Sequence, residues 1–179
     1  MIENQPVVMP KKLRLNEKNN IAISYIENSG EPHALSNFND DIWDFSPYIP
    51  NANLAHHQKI IKWSIFPILF REVAKEFIYI YWFHGVSGRK KPVACTLITA
   101  FKNLKLFCKW LTAKNISSFL NVTSENCLNY VHYCKQKGLT FNTLFLRFSV
   151  IELLYYLSKK LTNGLIHSPW PNSSASLLS

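Results

Sequence analysis

Apolar residues recur at steps of three and four in four stretches of the chain, and each stretch predicts an amphipathic helix. The first opens at Pro67, a residue suited to the initial turn of a helix, and runs to about Phe83. Its pattern sets Leu69, Val73, Phe77 and Ile80 inward, with Arg71, Glu72, Lys75 and Glu76 outward. Two glycines, three consecutive cations and a proline in "GVSGRKKP" (residues 85–92) then end it. The second stretch, Val93 to Ala113, places Leu97, Phe101, Leu104, Cys108 and Leu111 on one seam. The third lies between a capping Thr123 and a terminating Gly138, with Cys127, Tyr130, Val131 and Cys134 inward. The fourth starts at a Thr140 cap, carries Leu144, Phe148, Ile151 and Tyr155 on its seam, and stops by Gly164.

The rest of the chain shows no sustained period. Residues 1–20 read as a polar, flexible leader. Residues 21–65 mix acids, prolines and isolated aromatics, which predicts irregular chain pinned by Phe38, Trp43, Phe45 and Tyr48. The Pro/Ser-rich end, "HSPWPNSSASLLS" (167–179), reads as a linker or tail. The expected fold is therefore all-α: about four bundled helices over residues 66–166, with an irregular N-terminal extension. A length of 179 residues suits one such domain.

Composition sharpens this picture. Only 5 glycines are present, which disfavours turn-rich β folds and glycine-rich phosphate loops. The net charge of +9 is lopsided: residues 1–85 hold 8 Lys+Arg and 9 Asp+Glu, whereas 86–179 hold 12 and 2. Such a basic half draws a polyanion, nucleic acid first and an anionic membrane surface second. No apolar run approaches the ~20 residues of a membrane span, and the N-terminus lacks the apolar core of a signal peptide. Cys95, Cys108, Cys127 and Cys134 form no paired metal-ligand spacing, so buried free thiols, a cytoplasmic setting, no membrane partner, no metal and no cofactor are expected.

The cations are not scattered. At about 100° per residue, Lys102, Lys105 and Lys109 fall within an arc of roughly 60° beside the second helix's seam. Leu106, Phe107 and Trp110 fill most of the remaining surface, which marks a central helix with one open, basic strip. Arg89, Lys90 and Lys91 precede it, and Arg147 lies on the fourth helix with Asn142 and Thr143. These residue types suit phosphate contacts and groove readout. Catalytic patterns are missing: Asp40, Asp41 and Asp44 have no partner acid or base at helical spacing, and His56–His57 stands alone. There is no Gly-rich loop, nucleophile elbow or HExxH, so no enzyme is expected.

The run from "TLITAFKNLKLFCKWL" through the Thr-capped "VTSENCLNYV" to "LTFNTLFLRFS" resembles the core-binding domain of tyrosine recombinases of the phage-integrase type. The flanking "LSNFNDDIWDFSPY" and "LIHSPWPNSSAS" are similar to segments beside that domain in bacterial integrases. The resemblance implies a SAM-like helical domain that forms half of a C-shaped clamp on duplex DNA. It places Lys102, Lys105 and Lys109 on one DNA-facing helix, and Thr143 and Arg147 on the other. Glu152 departs from the pattern, standing where many relatives carry a basic residue. The family's catalytic half, with its Arg, HxxR and nucleophilic Tyr, has no counterpart in these residues. The expectation is a DNA-binding module of a truncated integrase, acting in DNA integration and recombination through double-stranded DNA without strand transfer of its own. Self-association, or a catalytic domain on another chain, would complete it. The rival reading is a helical protein–protein interaction module whose lysines form a solubilising rim.

Residues 1–20 carry no periodic apolar face, so deleting them should leave the thermal melt within a few degrees of the intact chain. A fall of many degrees would place this stretch in the core.

Overall fold

The computed structural model describes residues 21–178; the leader at 1–20 and Ser179 lie outside the described residues. The helices follow their start and stop signals: α1 (Ile68–His84), α2 (Ala94–Ala113), α3 (Ser124–Gln136) and α4 (Phe141–Leu157). Pro67 serves as the N-cap of α1, and the chain leaves that helix through Gly85 at φ 62°, a left-handed conformation that suits glycine. A capping box opens α3: the Asn126 amide donates to Thr123 Oγ1 (3.2 Å), and the Thr123 amide to Asn126 Oδ1 (2.9 Å). Thr140 Oγ1 likewise accepts from the Thr143 amide at the start of α4.

The all-α expectation is overturned in residues 21–65. Among the described residues, 55% are helical and 13% lie in strands, which form two small antiparallel sheets, so the fold is mixed α and β. β1 (Ala22–Asn28) and β2 (Glu31–Asn37) make a hairpin. Its turn residues Ser29 and Gly30 have φ of 55° and 84°, the left-handed pair a two-residue hairpin turn requires. β3 (Ile42–Asp44) pairs with β4 (Ile60–Lys62). Bulges near Ser24 bury both Ile23 and Ser24, which breaks the apolar–polar alternation that would have announced β1. β3 and β4 span three residues each and meet across a long excursion, so no local pattern reports their pairing.

Aromatic rings join these hairpins to the helices. The Trp43 and Trp63 rings meet edge to face at 4.9 Å, and Trp63 meets Phe101 of α2 at 5.2 Å. Phe38 abuts Tyr79 and Phe45 abuts Trp82, both on α1, and Trp82 Nε1 donates to the Ile23 carbonyl at 3.1 Å. Each such ring pair adds to the area it buries. One apolar cluster runs from Ile23 to Trp170.

The burial of α1 corrects two outward assignments. Lys75 is 5% exposed and Glu76 6%. Lys75 Nζ donates to the carbonyls of Phe38 (2.9 Å) and Asp40 (3.1 Å) and lies 5.7–5.9 Å from the ring centroids of Phe38, Trp43 and Trp63. Burial lowers its pKa from the usual lysine value, against the opposing pull of Glu72, Asp41 and Asp40. The Glu76 carboxylate accepts from the Thr162 amide (2.9 Å) and hydroxyl (2.7 Å). The helical period alone sets these charges toward solvent, but hairpins and helices together surround α1. Leu69, assigned inward, is 57% exposed, before the hairpins close over the helix.

The tail also differs from a linker. Trp170 is buried against Phe148, and Ser174 Oγ donates to Glu152 Oε2 at 2.8 Å. Gly164 marks a close approach on the way, since a Cβ there would stand 2.6 Å from that of Ser158. All four cysteines are free; Cys108, Cys127 and Cys134 are buried as expected, whereas Cys95 is exposed.

Leu104 is fully buried in mid-α2. Leu104→Ala should lower stability by about 2–5 kcal/mol in urea titration; a loss below about 1 kcal/mol would contradict that burial. Lys75→Met removes the donor to the Asp40 carbonyl and should cost roughly 1–3 kcal/mol, whereas Lys62→Met, at an exposed position, should be near neutral. Equal stabilities for the two variants would show that the caged ammonium contributes nothing.

Candidate nucleic-acid interface

Ten of the twenty residues of α2 are buried, which leaves little of its surface open. Lys102 and Lys109 are exposed, and Lys105 is half-buried with Nζ 5.7 Å above the Phe101 ring. Desolvation, then the charges of Lys109 and Lys102, hold the Lys105 pKa below the usual lysine value. That repulsion is the physical sign that the three cations share one strip. Among the described residues, no carboxylate pairs with any of them. A polyanion would relieve a repulsion that the fold leaves standing.

The strip borders a groove. The C-terminal half of α2, the outer face of α3 and the start of α4 enclose an open space of about 1020 Å3. Lys109 belongs to both strip and groove, and Lys114, Lys137 and Arg147 add three more cations. Trp110, Tyr130 and Tyr133 form an aromatic wall, beside the amides of Asn126, Asn129 and Gln136. Among the described residues, no carboxylate lines the space. Lys114 Nζ sits 5.9 Å over Trp110, and Lys137 Nζ sits 4.8 Å over Tyr133.

Arg147 reaches this groove from α4. Its Nη1 lies 3.7 Å from Cys134 Sγ, a weak acceptor, and its Nε is buried with no acceptor among the described residues. The Tyr130 hydroxyl, in a side chain 1% exposed, lies beside the same Cys134 thiol. Burial, and then the Cys134 thiol beside it, push the Tyr130 phenol far above its usual pKa, while the Arg147 charge pulls the other way.

The remaining candidates go elsewhere. Arg89 and Lys90 line a separate cavity of about 150 Å3 between the end of α1, the first turns of α2 and the flank of α4. Arg89 also stands 5.7 Å over the Tyr156 ring, and Lys91 is exposed in the same loop. Asn142 sits on the solvent side of α4, about 140° around the helix from Arg147. The Thr143 hydroxyl meets that of Thr140 at 2.9 Å within the helix cap. Glu152 accepts from Ser174 and from the Tyr156 hydroxyl, so it faces the chain's own tail. Of the predicted set, the structure brings Lys109 and Arg147 to one groove, with Lys102 and Lys105 on the adjoining strip.

Sequence reasoning missed the contribution of α3. Asn126, Asn129, Tyr133, Gln136 and Lys137 recur at steps of three, four and one on its outer face. A polar stripe at that spacing reads as a solvated face, and its one signal is a tyrosine among the amides. Among the described residues, no three His, Cys, Asp or Glu side chains gather to hold a metal, and no helix is long and apolar enough to cross a membrane. No protein-family model, curated protein or solved structure matches the chain.

Proposed function

We propose that this chain is a DNA-binding module that engages double-stranded DNA through the α2 lysine strip and the cations beside it. The observation that carries this reading is the run of Lys102, Lys105 and Lys109, unpaired by any described carboxylate and continuous through Lys109 with three further cations. Cations arranged this way exchange condensed counterions for phosphates, which is the main source of affinity for duplex DNA. The order of Thr-capped helices supports a finer reading, the core-binding part of a tyrosine-recombinase-type integrase that acts by holding DNA while strand transfer occurs elsewhere. In that arrangement Arg147 is the residue α4 brings to the DNA. A rival reading, a helical docking module for another protein, draws on the exposed Phe141, Phe145 and Leu146 along the outer side of α4.

Salt separates the two, because phosphate-led binding weakens steeply with ionic strength and apolar docking does not. Affinity for a short blunt duplex should fall with salt at a log–log slope of roughly −0.9 per phosphate contact. Replacing Lys102, Lys105 and Lys109 together by Gln should weaken binding to every duplex and flatten that slope by roughly two to three units. An unchanged affinity and slope in the triple variant, with the fold intact by circular dichroism, would sink the DNA reading.

A further inference from the structure

We infer that the groove between α2, α3 and α4 is a subsite for one unpaired nucleotide, its base stacked on Tyr133 and its phosphate held by Arg147 and Lys137. This deepens the DNA-binding reading and rests on it: the lysine strip tracks the duplex, and the groove takes a nucleotide that has left the stack.

Three features point to such an occupant. The first is the Arg147 guanidinium on the groove wall, whose Nη1 meets only a weak acceptor among the described residues, Cys134 Sγ at 3.7 Å. A guanidinium met by no more than a thiol sulfur can take a phosphate oxygen as its stronger partner. The second is the ring wall. Tyr133 is 39% exposed, whereas Tyr130 and Trp110 behind it are buried. Tyr130 stacks beneath it at 6.2 Å and 28°, and is itself braced by Phe107 at 4.9 Å and Trp110 at 5.4 Å. A single accessible ring on a rigid backing is a platform for one base.

The third feature is Lys137. Its ammonium, 4.8 Å over the Tyr133 ring, shows that this face is open to a group lying upon it. A base can take that place, and the long side chain can then swing its charge to the attached phosphate. The groove, about 1020 Å3 and lined by no carboxylate among the described residues, has room for a nucleotide, with Asn129 and Gln136 offering amides to the base edge. A paired base is already stacked on both faces within its helix and cannot use such a platform. A bare phosphate would leave Tyr133 unused.

The test is fluorescence anisotropy with the full chain, using a blunt duplex and the same duplex carrying a bulge of a few unpaired thymidines. The bulged duplex should bind about tenfold more tightly, the scale of one base stacked on an aromatic ring. Tyr133→Leu should erase that preference without changing affinity for the blunt duplex, and Tyr133→Phe should retain it. Thymidine monophosphate should compete with the bulged duplex where inorganic phosphate at the same concentration does not. Equal binding of the two duplexes by the unaltered chain, or a preference that survives Tyr133→Leu, would overturn the inference and leave the duplex reading standing. Equal competition by inorganic phosphate would reduce the site to a bare oxyanion hole and overturn it too. Binding to neither duplex would remove both readings.

Discussion

The ammonium of Lys75 is the point on which the two halves of this protein turn. A lysine withdrawn from water is costly unless its donors are met. Here two carbonyls from the β2–β3 connection meet them, and three aromatic rings surround the rest. The Phe38 carbonyl also accepts from Trp43 Nε1 at 3.3 Å, whereas the Asp40 carbonyl rests on the ammonium, which thereby ties the β2–β3 connection to α1. Glu76, one residue on, repeats the arrangement toward the other end of the chain through Thr162. With α1 held on both sides, Trp63 and Phe66 can press on Phe101 and fix the roll of α2. That roll is what turns Lys102, Lys105 and Lys109 outward.

The same commitments explain why the basic surface stays basic. Four carboxylates in the described part of the chain are spent on its own backbone and hydroxyls. Asp40 accepts from the Asn37 amide, Asp44 from the Ser46 amide, Glu76 from Thr162, and Glu152 from Ser174. Each closes a turn, caps a segment or latches a distant loop. None is left beside the α2 strip, so an uneven distribution of charge along the sequence becomes an uneven distribution in space. The field this creates can act on a partner before any contact is made.

Local rules account for what the sequence disclosed and for what it hid. The helices α2, α3 and α4 were legible because a period of 3.6 and Thr caps are written within a few residues. The hairpins were not, since β3 and β4 pair across distance and β1 carries a bulge that scrambles its alternation. Lys75 and Glu76 were misjudged by a rule that sends charges outward, which fails in the middle of α1, where every residue from 74 to 80 is buried. Within the candidate site, the lysine strip was readable from spacing and Arg147 from its residue type. Asn142, grouped with Arg147 by its place on the same helix, stands about 140° around α4 from it, since nearness in sequence does not set a shared face. The α3 wall stayed hidden because a groove is a relation between three helices, and no single one of them records it.

The long span of the contacts around α1 bears on how the protein is made. Phe38 waits 37 residues for the lysine that meets its carbonyl, and Glu76 waits 86 residues for its threonine. During synthesis the hairpin aromatics therefore emerge from the ribosome well before the helix that shelters them, and α1 emerges well before the loop that completes its own pairing. Contacts so distant in sequence form late and slowly. The hairpin rings therefore stay uncovered until α1 has followed them out, an interval in which exposed apolar surface favours association between chains.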